Sequence, residues 1–289
     1  IGRLGSNAVA AVGAAGMFMW LANGFTMIPR VGGQVSVGQR LGAGNPEEGA
    51  EFARGALRMG AFLGILYGIV SLLLNKQLIG FFNLNSPDVI WDARVYLMIT
   101  CGLIVFSFLD QVIGGILAAM GNTVTTFRVT TVGLVINLIL DPLLIFGIGP
   151  LKGMGVAGAA FATVFAQIIV FVLYLKAVWR EPIIFGRIHL FARTPKEHIR
   201  EIVKIGLPSA MQDALMSMIS MVIARFIAGW GDAAVAVQKV GSQIESISWM
   251  MAGGFSTAVN AFIAQNYGAG KKKRIKKGYR KAIEIMAVW

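Results

Sequence analysis

Charge is what this sequence has least of. Only 14% of its 289 residues are charged, where soluble domains carry about a quarter, which argues against a water-soluble enzyme. The single cysteine, Cys101, lies inside an apolar run and excludes an internal disulfide framework. Both histidines, His189 and His198, fall in one polar connection, so no imidazole stands beside Cys101 or a buried serine, and no nucleophilic constellation forms. No His, Cys, Asp and Glu cluster has metal-ligand spacing. Strict period-two alternation in blocks of ten, the mark of a membrane β-barrel, is also missing.

What is there is apolar. Hydrophobic residues make up 56% of the chain and the mean hydropathy is +0.70. A bilayer core about 30 Å thick needs helices of roughly 20 residues, and the apolar runs have that length. Leu4–Gln39 contains one charge, Arg30; Met59–Asn75 has none; Val95–Phe127 has Asp110; Val129–Leu151 has Asp141; Gly153–Leu175 has none. After a polar stretch, Lys176–Lys204, come Ile205 to Gly229 with Asp213 and Arg225, and Ala234 to Gly270 with Lys239 and Glu245; an eighth run begins near Tyr279. The expected fold class is all-α integral membrane, with many crossings. The 36 glycines suit close helix packing in lipid, and Gly60, Gly64 and Gly68 repeat every four residues on one helix face.

If each run crosses once, most of the 26 basic residues share one side: Arg40, Arg54, Arg58, Arg128, the Lys176–Lys204 connection and the cluster beginning at Lys271. By the positive-inside rule that side is cytoplasmic. The net charge of +12 therefore needs no nucleic acid; topology and anionic headgroups account for it.

Leu4–Gly44 aligns without gaps to Trp230–Gly270, matching Gln39-Arg-Leu-Gly-Ala-Gly44 with Gln265-Asn-Tyr-Gly-Ala-Gly270. An even number of crossings separates the copies, so the repeat is parallel, about an axis along the membrane normal. A chain of roughly 450 residues and about twelve helices follows, of which this sequence reads as a fragment with one helix preceding Ile1. The division is 1–204 for an N-terminal lobe with its connector and 205–289 for the start of a C-terminal lobe. The Gly-Ala-Gly runs read as helix C-caps. Gly153-Met-Gly-Val-Ala-Gly158 matches a dinucleotide fingerprint in letters alone, since no strand precedes it.

An ionisable residue at membrane depth costs about 2.5–3.5 kcal/mol on insertion scales, so each one asks for a reason. Asn137 lies one turn before Asp141, on the same helix face. The pair forms a small polar site suited to a proton or a sodium ion; the residues alone leave equally open that Asp141 fixes the helix end before Pro142. Asp110 with Gln111, and Asp213 with Gln212, are further intramembrane contacts for substrate or ion, or else structural partners of Arg30 and Arg225.

The run Gln39-Arg-Leu-Gly-Ala-Gly-Asn-Pro46, Ala119-Met-Gly-Asn-Thr123, Asn137-x-x-x-Asp141-Pro142 and Gly153-Met-Gly-Val-Ala-Gly-Ala-Ala-Phe-Ala-Thr163 together resemble the multidrug and toxic compound extrusion (MATE) transporters. The second Gln-Asn-Tyr-Gly-Ala-Gly run fits that family's second lobe. The resemblance implies a two-lobed, twelve-helix antiporter of the plasma (inner) membrane that exports organic cations and other amphipathic drugs against H+ or Na+. It implies no enzyme activity, no cofactor beyond the coupling ion, no nucleic acid and no obligate protein partner; the partners are small-molecule drugs and the bilayer. Carried over residue by residue, the family's cation-linked cluster falls on Asn137, Asp141 and Thr163, with a further Asp expected before Ile1. Sodium-coupled relatives carry a Glu about eight residues after a Gly-x-Pro motif. Here Gly206-Leu-Pro208 leads to Met216 and the acid is Asp213, a departure from that second-lobe site. A lipid-linked saccharide flippase of the same superfamily is the alternative, disfavoured because only Arg30, Arg225 and Lys239 are available for a pyrophosphate. An integral-membrane enzyme is a more distant one.

Overall fold

The computed structural model describes residues 4–82, 84, 86–147, 153–189, 192–228 and 232–288, without the side chains of 6, 217, 218, 221, 224, 225, 228, 232–240 and 243. Ten α-helices run in chain order among the described residues: α1 (Ser6–Gly42), α2 (Pro46–Leu73), α3 (Asn75–Gly80), α4 (Pro87–Gly102), α5 (Val105–Ala119), α6 (Thr123–Phe146), α7 (Gly155–Val178), α8 (Lys196–Ala228), α9 (Asp232–Gly268) and α10 (Lys272–Val288). Five of them are long and apolar enough to cross a membrane, and the bent pair α4–α5 makes a sixth. Large apolar side chains such as Phe62 and Leu73 on α2 and Phe127 and Leu138 on α6 are exposed. In hydrocarbon those faces are matched, and only helices satisfy their own backbone there.

Helix ends follow the local chemistry. Gly44 and Gly270 take positive φ, 77° and 68°, which only glycine adopts without strain, and so end α1 and α9. Asn45 caps α2 by accepting from the Glu48 N–H at 3.1 Å, and Asn122 caps α6 through the Thr125 N–H at 3.2 Å. The run expected as one segment from Val95 to Phe127 is instead α4 and α5, bent by 43°, and it stops before Gly121. The bend lies against the glycine face of α2. A Cβ at Gly68 would meet the Gly102 carbonyl oxygen at 2.9 Å, and one at Gly64 the Val105 Cα at 2.8 Å. Small residues on one helix thus admit the broken backbone of another. α8 starts earlier than its apolar run, at Lys196 in the polar connection.

α1 is central, packing on α2, α4, α5, α8 and α9. The repeat is visible in it: α1 and α9 each span 37 residues and meet reciprocally at their C-terminal ends. A Cβ at Gly42 would strike the Gln265 carbonyl, and one at Gly268 the Gln39 carbonyl. Contacts of residue i on j matched by j on i mark a two-fold relation. The Gln265 amide also donates to the Ala119 carbonyl at 2.6 Å.

The connector is pinned to the same basic end. Arg54, 4% exposed, donates to the Arg193 carbonyl at 3.0 Å and to Thr194 Oγ1 at 3.3 Å. The Glu181 carboxylate accepts from the backbone N–H groups of Ile183, Ile184 and Phe185, which holds Ile184 fully buried against Gly49. Arg40 pairs with Glu48 at 2.8 Å and with Glu201 of α8 at 3.1 Å.

Candidate functional site

The sequence spacing puts Asn137 and Asp141 on one face of α6, and both are half-buried. Pro142 follows Asp141 inside the helix, so the Leu138 carbonyl has no i+4 amide donor and the helix is locally weakened there. The start of α7 lies close against the end of α6. Gly147 turns at φ 76°, the Met154 N–H donates to the Leu144 carbonyl at 2.9 Å, and Gly153 and Gly158 press on the backbone of Leu144 to Phe146. Those glycines do in packing what the dinucleotide-like letters falsely suggest as chemistry.

This close approach lays α7 along α6. Thr163 of α7 donates to the Ala159 carbonyl at 3.0 Å, which leaves its oxygen free to accept. The Tyr96 side chain of α4, 7% exposed, lies beside Thr163 and within electrostatic reach of Asp141. Three helices therefore bring Asp141, Thr163 and Tyr96 into one polar site inside an apolar wall that includes Cys101, Ile145 and Val156. Asn137 shares the Asp141 face, and its Nδ2 is buried without a hydrogen-bond acceptor. Such a group is costly to leave unmatched.

The remaining candidates are dispersed. Asp110 is buried on α5. Its neighbour Gln111 instead donates to Asn23 of α1 at 3.0 Å. Gln212 and Asp213 are exposed on α8, and the Asp213 charge acts on Arg30 of α1. Arg225 and Lys239 have side chains outside the described residues. Glu245 is exposed and accepts from Trp249 Nε1 at 2.9 Å. A cavity at the basic end, lined by Leu41, Gly42, Met120, Ile183 and Gln265, lies at the α1–α9 junction, away from Asp141. Among the described residues no group of three or more His, Cys, Asp or Glu converges.

Sequence reasoning missed Tyr96, Gln167 and Tyr174. Thr163, Gln167, Phe171 and Tyr174 form one stripe along α7 at helical spacing. That stripe was legible, but its polar members gain meaning only from what α4, α5 and α6 set against them.

A family model described as MatE matches residues 1–143 and 208–288. The chain is 28% identical over 288 residues to a probable multidrug resistance protein YoeA of Bacillus subtilis, covering 98% of this chain and 62% of the relative. It is 27% identical over 296 residues to a FAD transporter of Shewanella oneidensis, covering 100% of this chain and 64% of that protein. The chain thus spans less than two thirds of these relatives' length. Among solved structures, one of MATE in complex with MaD5 superposes with a TM-score of 0.90 at 22% identity, over 99% of this chain and 64% of the other, a likeness of fold.

Proposed function

Because the chain belongs to the MatE family, we propose that in the intact protein it forms part of a cation-coupled exporter of organic cations and other amphipathic compounds in the plasma membrane, driven by H+ or Na+. Asp141 is the residue on which the coupling ion acts, with Asn137 and Thr163 as its partners and Tyr96 as the fourth member. The observation that carries this reading is the meeting of Asp141, Thr163 and Tyr96 from three different helices at one apolar-walled point.

The chemistry is reversible neutralisation. A carboxyl among apolar side chains is tolerated when a proton or a sodium ion covers its charge. The Asn137 amide and the Thr163 and Tyr96 hydroxyls offer oxygen and hydrogen-bonding atoms to either form. Loss of the ion changes the charge inside the lobe by one unit next to Pro142, where α6 is weakest. A bistable helix end biased by that unit couples ion release to the arrangement of the lobe. The drug contacts are expected on the lobe-facing polar groups Asp110, Gln111, Gln212 and Asp213.

Asp141→Asn in the full-length protein is expected to abolish gradient-driven export of a cationic dye while membrane insertion persists. Export at the unsubstituted rate, with unsubstituted gradient dependence, overturns the assignment. A second reading, export of a flavin dinucleotide, is favoured by one observation, the whole-chain match to the relative named a FAD transporter. Uptake of FAD into inverted vesicles, competed or not by the dye, separates the two.

A further inference from the structure

That mechanism gives Asp110 a substrate contact but no part in handling the coupling ion. It is 8% exposed, and its Oδ1 is buried without a hydrogen-bond donor. No ion pair involves it among the described residues. It lies nine positions before the end of α5 at Ala119, about 13 Å along the helix from the basic end. Asp141 is instead close to the opposite end of α6.

Two glycines on α5 shape its surroundings. A Cβ at Gly114, one turn beyond Asp110, would touch the Tyr174 hydroxyl at 3.2 Å and Thr126 Cγ2 at 3.5 Å. A Cβ at Gly115 would touch the Arg30 carbonyl oxygen at 3.1 Å and its Cγ at 3.3 Å. The notch therefore lets α7 and α1 close in from two sides. The charges of Asp110 and Arg30 both reach Tyr174, and Arg30 in turn is reached by Asp213 on α8. Every element packed on α5 is accounted for: α1 brings Arg30, α7 Tyr174, α6 the neutral Thr126, and α2 Tyr67, whose ring sits 6.5 Å from that of Phe108. α9 brings the amide of Gln265 among the described residues. The rings of Phe106 on α5 and Phe171 on α7 meet edge to face at 5.5 Å. Asn137 Nδ2 on α6, Gln167 Oε1 on α7 and Asp110 Oδ1 on α5 are buried without hydrogen-bond partners.

We propose that the first lobe carries a second protonation site, the carboxyl of Asp110, on a different helix from Asp141 and communicating with the second lobe through Tyr174, Arg30 and Asp213. This rests on the reading of the protein as a proton-coupled exporter. A carboxylate that deep with no cation in contact is neutralised by a proton. The step is simple: a hydronium O–H bond breaks to leave water as an O–H bond forms at Asp110, and the reverse returns the proton to water. With Asp110 neutral, Tyr174 feels one negative charge fewer from its own lobe and is left facing Arg30, which answers to Asp213 across the lobe boundary. Binding of a cationic substrate beside Asp213 and Arg30 then favours release of the Asp110 proton.

The test counts protons. Full-length protein in detergent, in weakly buffered solution, is titrated with tetraphenylphosphonium while a pH dye reads the protons released per cation bound. Asp110→Asn is expected to release one proton fewer than the unsubstituted protein, and Asp110→Glu the same number. An unchanged count in Asp110→Asn overturns the proposal. Should Asp110→Asn not bind the cation, infrared difference spectra of the substrate-free protein between neutral and alkaline pH, the range in which a protonated buried carboxyl gives up its proton, decide. A carboxylic-acid C=O band absent from Asp110→Asn supports the site, and identical spectra overturn it. Asp141→Asn, run in parallel, keeps the two readings apart: if it releases the full count while Asp110→Asn does not, the Asp141 reading fails and this one stands.

Discussion

Gly42→Ala tests the reciprocal contact at the basic ends of α1 and α9. The added methyl lies 2.6 Å from the Gln265 carbonyl carbon and 2.8 Å from its Cα, where ordinary contact begins at 3.4 Å. The obstacle is backbone, which cannot rotate away as a side-chain tip would. The helix ends must therefore part by about 1 Å, and overpacking of that kind costs about 1–3 kcal/mol. The penalty applies only where α1 and α9 touch. The gain of about 1 kcal/mol from replacing a helical glycine by alanine applies whether they touch or not, and so cancels from the ratio. The equilibrium constant for the joined arrangement against the parted one should thus fall about 5–150-fold. In a Cys101→Ser background, cysteines at the exposed positions Ala43 and Ala269 report that arrangement through their rate of cross-linking by a short bis-maleimide. Gly42→Ala should slow it by up to that factor. Gly13→Ala on the same helix, where an added Cβ meets nothing within 4 Å, should not. Equal cross-linking rates in all three proteins would refute the argument that the two glycines are required for contact.

Arg54→Ala should lower stability by about 1–3 kcal/mol, because it strands the Arg193 carbonyl that the buried guanidinium satisfies and leaves the Thr194 hydroxyl with the Arg58 donor alone. A thermal melt of the full-length protein checks this, and Arg58→Ala, at an exposed position, serves as the milder comparison. Cysteines at Ala43 and Ala269 should resist a membrane-impermeant thiol reagent applied outside intact cells and react in inverted vesicles; external labelling of either would contradict the topology read from the basic residues.

How much of this was legible in one dimension differs from element to element. The apolar runs located α1, α2, α6, α7 and α9 because hydrocarbon leaves the backbone no alternative to a helix, so length and hydropathy suffice. They misjudged Val95–Phe127 because a break between two apolar helices costs no hydropathy. The 43° bend between α4 and α5 is decided by the glycine groove of α2, a partner distant in sequence. The site shows the same division. The i, i+4 spacing of Asn137 and Asp141 is a local fact of helix geometry, as is the matched Gly-Ala-Gly ending of α1 and α9. The approach of Tyr96 to Thr163 and Asp141, the contact of Phe106 with Phe171, and the closing of α1 and α7 on Gly114 and Gly115 depend on which faces of separate helices meet. Composition and periodicity determined that this chain is a bundle of membrane helices with a repeated half. Only the packing, through glycines that let particular backbones approach, decided which buried polar groups are neighbours and therefore which of them can exchange an ion.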